Sequence, residues 1–126
     1  ATDVTGFGLV GHLSEVLRAS GVAAEIDVAA VPVIEGVREL VEAGAVAGGS
    51  QRNLDDTAHV DWAGVTPTDS VVLCDAQTSG GLLLAVPPGA LAEVTESLGP
   101  QESWVIGSVV AAGAPDDPIV TFTDSR

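Results

Sequence analysis

The amino-acid sequence predicts an α+β domain in which a mixed β-sheet is covered by helices. Apolar residues recur at helical spacing in residues 7–20 and alternate with polar residues in 22–28, so a helix leads directly into a strand. Helical and strand-like segments then mix irregularly, which favours at least one β-α-β pass and one local hairpin over a regular α/β repeat. With 126 residues, 46% of them hydrophobic, the chain can form one domain with its own core.

The first third of the chain predicts two helices on either side of a strand. The first helix extends from about Phe7 to Ser20 and ends at Gly21, a residue that readily adopts the left-handed conformation after a helix. The strand covers 22–28 and has one face towards water, because every second residue is polar. After a turn, apolar residues at helical spacing predict a second helix from Val33 that is closed by Gly44.

From Ala45 to about Pro67, glycine, serine and acidic residues predict a long loop. Arg52 is the only cation in this loop and could contact a phosphate, but a salt bridge to the Asp55–Asp56 pair is the favoured interpretation. His59 and Trp62 are expected to anchor the loop and not to bind a ligand.

The second half of the chain predicts four strands and one helix. The strands are residues 71–74, 82–86, 104–110 and 119–122, the last of them at an edge of the sheet. The helix begins at Pro88 and extends to Leu98, with Leu91, Val94 and Leu98 facing inward. The terminal residues 123–126 are expected to be ragged.

A polar turn with paired glycines occupies residues 75–81, between the first two of these strands. Such a turn can hold backbone N–H groups as an anion-binding nest, or its side chains can satisfy its own backbone. The second interpretation is favoured, with the turn supporting the region of Asp3 but supplying no metal ligand. Cys74 is expected to be a small buried strand residue, and His12 a hydrogen-bonded histidine at the core boundary.

The charge of the chain excludes some classes of partner. Eighteen acidic residues against four arginines and no lysine give a formal net charge of −14, which disfavours nucleic acid and anionic membrane surfaces. No apolar run is long enough to span a membrane. The single cysteine excludes an internal disulfide and a cysteine-based zinc cluster, consistent with a reducing, cytoplasmic setting.

The first twelve residues are the strongest candidate for a site. Gly6 and Gly8 can adopt positive φ and leave room for a ligand, and the N-terminus of the helix that follows favours anions. Asp3 would repel phosphate unless a divalent cation such as Mg²⁺ lay between them. These residues therefore fit half of a metal–phosphate site. On the local pattern alone, Asp3 as a helix cap is the favoured alternative.

Four segments of the chain carry distinctive motifs. They are Ala-Thr-Asp-Val-Thr-Gly-Phe-Gly-Leu-Val-Gly-His at 1–12, Gly-Gly-Ser-Gln-Arg-Asn at 48–53, Asp-Ala-Gln-Thr-Ser-Gly-Gly-Leu-Leu at 75–83 and Trp-Val-Ile-Gly-Ser-Val at 104–109. Together and in this order, they resemble segments of the selenophosphate synthetase (selenide, water dikinase) family. The chain departs from the family at Ser50, where the family usually has threonine, and at Ala76, where it usually has proline. Serine keeps the hydroxyl of threonine, and alanine in place of proline loosens one turn.

The resemblance implies the C-terminal-domain fold of the aminoimidazole ribonucleotide synthetase superfamily and ATP-dependent phosphoryl transfer to selenide. It implies Asp3 as a Mg²⁺ ligand, with Thr2, Thr5, Gly6 and Gly8 shaping the turn at the ATP site. It places no catalytic residue in this chain. Residues 1–126 would be a single domain, the C-terminal part of a cytoplasmic enzyme that is homodimeric at full length, and the ATP-binding, catalytic N-terminal domain with its reactive cysteine or selenocysteine would lie outside the sequence.

Two alternatives stay open at this point. A related enzyme, of the aminoimidazole ribonucleotide synthetase or thiamine-phosphate kinase type, would share the fold but use another acceptor. A non-catalytic binding module is the second alternative.

Overall fold

A computed structural model describes residues 1–99 and 101–126 and confirms the α+β class. Two short 3₁₀ turns, Val28–Ala30 and Pro88–Ala90, accompany the helices and strands. In chain order the elements are β1 (Thr2–Asp3), α1 (Gly8–Ser20), β2 (Val22–Asp27), α2 (Val37–Glu42), α3 (Gly48–Asp55), β3 (Val60–Asp61), α4 (Pro67–Leu73), β4 (Leu82–Leu83), α5 (Leu91–Leu98), β5 (Gly107–Ala111) and β6 (Val120–Thr123).

The strands form two separate sheets. The larger is mixed and has the order β3-β6-β2-β5, with β6 parallel to both β3 and β2 and with β5 antiparallel to β2. The smaller sheet pairs β1 with β4 in antiparallel register, which sets Thr2 opposite Leu83 and Asp3 opposite Leu82. The smaller sheet therefore positions the residues that precede α1.

The core forms where α1 packs on the larger sheet. Leu13 and Leu17 of α1 contact Ala24 and Ile26 of β2 in one cluster of buried residues, which also includes Val120. These residues lie one helical turn apart on α1 and two residues apart on β2, the spacing that directs each set to one face. A second cluster joins α1 to the end of α4 and consists of Val10, Val28, Leu73 and Cys74.

The predicted limits of α1 and of the following strand hold to within one residue, since α1 begins at Gly8 and β2 ends at Asp27. Gly21 ends α1 in the left-handed conformation with φ 65°, and its N–H donates to the carbonyl oxygens of Leu17 and Arg18. The second helix is shorter than predicted: it begins at Val37, after Gly36 with φ 85°, and ends at Glu42.

Residues 45–67 are more ordered than the loop that their composition predicted. They include the whole of α3 and β3. The buried Ser50, on α3, and the parallel pairing of Val60 with Val120 hold these elements against the rest of the domain. Since both contacts join residues far apart in sequence, local composition does not report them.

The prediction of a strand at 71–74 is wrong, because these residues complete α4 and its C-terminus. Pro67 occupies the first turn of this helix, and the Thr66 side chain caps it by accepting from the Asp69 N–H. The predicted local hairpin is therefore absent from the described residues, and β4 pairs with β1 instead. Of the predicted strand 82–86, only Leu82–Leu83 is paired.

Three predictions for the C-terminal part also need correction. The last strand, β6, is not an edge strand but lies between β3 and β2. Helix α5 has no buried residue, and Leu98, which was predicted to face inward, is 47% exposed. Residues 123–126 are not ragged: Ser125 bonds Asp27 through both its N–H and its hydroxyl, and Arg126 pairs with Asp69. Among the helices of the described residues, none is both long and apolar enough to cross a membrane.

Asp69 is a buried carboxylate, 3% exposed, that joins three parts of the chain. Arg38 of α2 donates to its Oδ1 over 2.8 Å, and Arg126 and Thr66 each donate to its Oδ2 over 2.8 Å. Burial raises the pKa of Asp69, but the hydrogen bonds from Arg126, Arg38 and Thr66 together lower it by more. The carboxylate therefore stabilises the folded chain through its charge.

Asp69→Asn is expected to lower the free energy of unfolding by about 3 kcal/mol at pH 7, because both arginines lose their shared buried partner. The folded-state pKa lies below the ordinary 3.8, so this contribution is present above pH 3.8 and is lost as the pH falls through the folded-state value. Urea unfolding of both proteins between pH 3 and 8 measures the gap, with the exposed Asp61→Asn as the control. A gap that stays constant down to pH 3 would contradict the role of the charge.

Candidate functional site

The turn between β1 and α1 is held from inside by His12. The Nε2 atom of His12 accepts from the Phe7 N–H over 3.4 Å and lies 3.1 Å from the Thr5 hydroxyl, which donates to it. The Gly8 N–H donates to the Thr5 carbonyl over 3.0 Å, which closes the turn. His12 is buried, as predicted for a hydrogen-bonded histidine at the core boundary. It acts here as an acceptor that orders the turn.

Gly8 brings this turn into contact with the end of α4. Its φ is 68°, and a Cβ atom at this position would lie 2.6 Å from the Cys74 carbonyl carbon and 2.9 Å from the Asp75 carbonyl oxygen. Both the conformation and the close contact require glycine. The space beside Gly8 is thus filled by the backbone of the chain itself.

Asn53 holds the same two segments together. Its Nδ2 group donates to the Gly6 carbonyl over 2.9 Å and to the Cys74 carbonyl over 3.0 Å. One side-chain amide therefore connects the turn before α1, helix α3 and the end of α4. Because Nδ2 has two protons, both bonds form at once.

The segment 75–81 supports the turn from the other side. Gln77 and Gly80 donate from their N–H groups to the carbonyl oxygens of Thr5 and Val4, over 3.0 and 3.1 Å. A Cβ on Gly80 would lie 2.2 Å from the Val4 oxygen, so this approach too needs glycine. The segment supports the chain around Asp3, as predicted, but it does so through its N–H groups and not through side chains that satisfy its own backbone.

Ser50 fixes the start of the same segment. Its hydroxyl donates to Asp75 Oδ1 over 2.6 Å and accepts from the Ala76 N–H over 3.0 Å, and the residue has no exposed surface. The hydroxyl group, which serine and threonine share, therefore makes two hydrogen bonds at this position. Three of the four sequence segments that carried the resemblance, residues 1–12, 48–53 and 75–83, meet around one turn.

Asp3 lies at the outer side of this arrangement. It is exposed in β1, opposite Leu82, and its carboxylate has no hydrogen-bond partner among the described residues. The alternative role of Asp3 as a helix cap is wrong, because α1 begins five residues later and the residue at its N-cap is Phe7. The carboxylate of Asp3 is thus free to bind a ligand, and in the part of the chain that the structure describes it does not belong to any group of three or more metal-binding side chains.

The other four predicted site residues differ in their hydrogen bonds and in their exposure. The Thr2 hydroxyl donates to the Asp3 carbonyl over 3.0 Å, whereas the Thr5 hydroxyl is engaged by His12. Gly6 is exposed and has no atom within 4 Å of where its Cβ would be, so a ligand can approach its backbone. Gly8 is buried behind it. Their contact with a ligand stays a prediction, as does a metal at Asp3.

Predictions for four other residues were of mixed success. Arg52 forms no ion pair with Asp55 or Asp56; its Nη1 atom lies 3.5 Å from the position of a Cβ on Gly48, because helical side chains lean towards the N-terminus. Cys74 is buried, as predicted, but at the end of α4 and not in a strand. Burial raises the pKa of its thiol to about 12, so the thiol is unreactive at neutral pH.

His59 and Trp62 anchor their segment as predicted. His59 Nε2 donates to the Ser14 hydroxyl over 2.8 Å, since that hydroxyl uses its own proton on the Val10 carbonyl. Trp62 stacks on Phe122 with ring centroids 5.0 Å apart. Burial and then the charge of Arg18 lower the pKa of His59, which keeps the ring neutral at pH 7.

The roles of Ser50 and Asn53 were missed by sequence reasoning. Both residues belong to the segment 48–53. Its resemblance to a known family marked the segment, but it did not indicate which contacts the two side chains make. Their partners lie 25 and 26 residues away for Ser50, and 21 and 47 residues away for Asn53. Contacts of that range follow only from the tertiary structure.

Asn53→Asp is expected to destabilise the chain by about 3 kcal/mol at pH 7, because a carboxylate would face two carbonyl oxygens. Asn53→Ala, the matched control, loses the two hydrogen bonds without adding charge and should cost about 1–2 kcal/mol. Urea unfolding at pH 7 and at pH 4 measures both variants against the wild type at the same pH. The difference between the two variants should shrink at pH 4; equal stability of both variants at pH 7 would contradict the contact.

Comparison with known proteins agrees with this geometry. Residues 1–116 match the family described as "AIR synthase related protein, C-terminal domain". The chain is 50% identical over 95 residues to a selenide, water dikinase of Haemophilus ducreyi, an alignment that covers 75% of this chain and 27% of that relative. It is 52% identical over 94 residues to the selenide, water dikinases of Escherichia coli K12 and Shigella flexneri, covering 74% of this chain and 26% of each relative.

The chain thus spans about a quarter of the length of the curated relatives that it matches. The family match, in contrast, extends over nearly the whole chain and includes the turn, Asn53 and the segment 75–81. These findings confirm the resemblance that the four sequence segments carried. The chain therefore belongs to the family of AIR synthase related protein C-terminal domains.

Proposed function

We propose that this chain is the C-terminal domain of a selenophosphate synthetase, an enzyme that converts selenide, ATP and water into selenophosphate, AMP and phosphate. The identity of 50–52% to proteins named selenide, water dikinase supports this assignment over another enzyme of the superfamily. The domain contributes to the ATP site, and the catalytic groups come from an N-terminal domain of the same protein.

One observation carries the assignment of the site: the Asp3 carboxylate is exposed and has no hydrogen-bond partner within residues 1–99 and 101–126, while the turn behind it is held by hydrogen bonds. Some other exposed aspartates of the chain accept from nearby backbone N–H groups, as Asp61 does from Ala63 and Asp117 from Ala114. A carboxylate without such a partner on a rigid support is well placed to bind a cation.

Mg²⁺ fits this donor set, because the ion is commonly held by one or two carboxylates together with substrate phosphates and water. When bound, Mg²⁺ neutralises the charge that develops on the phosphates during phosphoryl transfer. Asp3 would hold the ion at the outer edge of β1. The exposed backbone of Gly6 would face the nucleotide, and Thr2, Thr5 and Gly8 would shape the turn that presents Asp3.

The charge of the chain supports a site that is completed by another domain. A formal net charge of −14 repels ATP, and Asp3 is the one carboxylate predicted as a ligand. Any further metal-binding carboxylate and a cationic group for the phosphates would therefore come from another domain. Because this chain lacks those groups, we expect it to be inactive by itself. For the full-length protein we propose a cytoplasmic homodimer.

The test is an assay of the full-length protein that contains this chain, with ATP, Mg²⁺ and selenide. Selenophosphate is identified by its phosphorus NMR signal, and AMP and phosphate are quantified in the same sample. We expect one AMP and one phosphate for each selenophosphate, and no turnover by residues 1–126 alone.

ATP turnover with no selenophosphate would overturn the assignment of selenide as acceptor. Aminoimidazole ribonucleotide synthetase and thiamine-phosphate kinase substrates would then be assayed in place of selenide. If the full-length protein binds ATP but transfers phosphate to none of these acceptors, a non-catalytic binding module is the remaining interpretation.

A further inference from the structure

A groove of ≈ 290 Å³ on the surface of the domain is lined mostly by apolar side chains. Its walls come from α1, from β2 and from the segments 83–85 and 106–109. Val109 in this lining is 51% exposed, although the larger sheet would normally bury such a residue. Contiguous apolar surface of this kind is typical of an interaction surface.

The end of β1 lies at this groove, since Ala1 is one of the residues that line it. In the register of β1 and β4, the numbers of opposite residues sum to 85: Thr2 is opposite Leu83 and Asp3 opposite Leu82. Continued without a break, this register sets Ala1 opposite Leu84. The next two residues towards the N-terminus would lie opposite Ala85 and Val86, and residues 84–86 pair with no strand in the described part of the chain.

We propose that the residues preceding Ala1 in the full-length protein continue β1 as a strand antiparallel to 84–86, and that this strand covers the groove. The inference rests on the proposed function, in which this chain is one domain of a longer protein. The relatives are about four times longer than the aligned part, so their chains extend well beyond it.

The register also sets the direction of each side chain. Opposite residues in a sheet share a face, and Leu83 packs against the core cluster of α1 and β2. Ala85 and the residue immediately before Ala1 would share that face. We therefore expect the first and third residues before Ala1 to be apolar and to cover the groove.

The hydrogen bonds fix which pairs lie closest. The Val4 N–H donates to the Gly81 carbonyl over 2.8 Å, so this pair is hydrogen-bonded, and hydrogen-bonded pairs alternate with non-hydrogen-bonded ones along antiparallel strands. The second residue before Ala1 and Val86 would therefore form a non-hydrogen-bonded pair, with Cα atoms about 4.5 Å apart. A disulfide can form at that separation.

The test introduces Val86→Cys together with a cysteine at the second residue before Ala1 in the full-length protein. The matched control moves the N-terminal cysteine to the first residue before Ala1, where the side chain lies on the opposite face. Mild oxidation followed by peptide mapping should find the cross-link in at least ten times higher yield in the first protein. The native Cys74 thiol does not compete, because it is buried and its pKa is raised to about 12.

Equal cross-linking of the two proteins, or cross-linking of neither, would overturn the strand continuation. Unchanged thermal unfolding of the reduced variants establishes that neither result reflects misfolding. This readout is independent of activity. A protein that cross-links in the expected register but makes no selenophosphate would overturn the proposed function alone, and an active protein without the cross-link would overturn the strand alone.

Discussion

Asp3→Asn in the full-length protein is expected to lower kcat for selenophosphate formation by about 100-fold or more. The asparagine keeps the size of the side chain but removes the negative charge that would hold Mg²⁺. A loss of about 2.7 kcal/mol of transition-state stabilisation corresponds to this factor, and metal-bound charge commonly contributes several kcal/mol. Because Asp3 is exposed and has no hydrogen-bond partner among the described residues, folding should be unaffected.

The control is Asp116→Asn, which removes another exposed carboxylate, from the turn before β6. Both variants lose one negative charge, so a general effect of charge on ATP binding would appear in both. Activity is measured over a range of Mg²⁺ concentrations, and Asp3→Asn should need more Mg²⁺ for half-maximal rate. Normal activity of Asp3→Asn at limiting Mg²⁺ would remove Asp3 from the metal site.

Gly8→Ala is expected to lower the free energy of unfolding by about 2–5 kcal/mol. Alanine at φ 68° costs about 1–2 kcal/mol, and its Cβ would overlap the Cys74 carbonyl group, which adds about 1–3 kcal/mol of overpacking. The clash involves backbone atoms on both sides, so no rotamer change relieves it. Urea unfolding of the 126-residue chain measures the loss.

Gly21→Ala separates the two contributions. Gly21 has nearly the same φ, 65°, but no atom within 4 Å of where its Cβ would lie. This variant should therefore cost only the conformational part, about 1–2 kcal/mol. If the two variants lose equal stability, the contact between the turn and the end of α4 does not hold the site together.

Prediction from sequence differed most from the structure at residues 71–74 and at the predicted loop 45–67. In both regions, caps and contacts with other segments outweigh the local preference. Residues 71–74 are apolar and two of them are valines, as a buried strand would favour, yet Thr66 and Pro67 start a helix that continues to Leu73. The local cap and the packing of Leu73 and Cys74 against α1 outweigh the strand propensity of four residues. In the same way α3 and β3 form where composition indicated a loop, because Ser50 and Val60 have partners in distant segments.

In the candidate site, too, the sequence identified residues whose contacts only the structure shows. Asp3, the glycines and the segments 48–53 and 75–83 were identified from the order of residues, because a resemblance in sequence needs no coordinates. Their arrangement was not, since Asn53, Gly80 and Gln77 act on carbonyl oxygens that belong to other segments. The role of Asp3 as a cap, which the local pattern favoured, failed on the position at which α1 begins.

The sequence by itself determined the α+β class, the limits of α1 and the family, because helical periodicity, a terminal glycine and ordered motifs are local properties of the chain. Only the tertiary structure decided that residues 71–73 are helical, that β6 lies inside the sheet, that Asp69 joins Arg38 to Arg126, and that three motifs meet behind Asp3. Each of these depends on hydrogen bonds or packing between residues far apart in sequence, whose free energy outweighs local preference once the chain is folded.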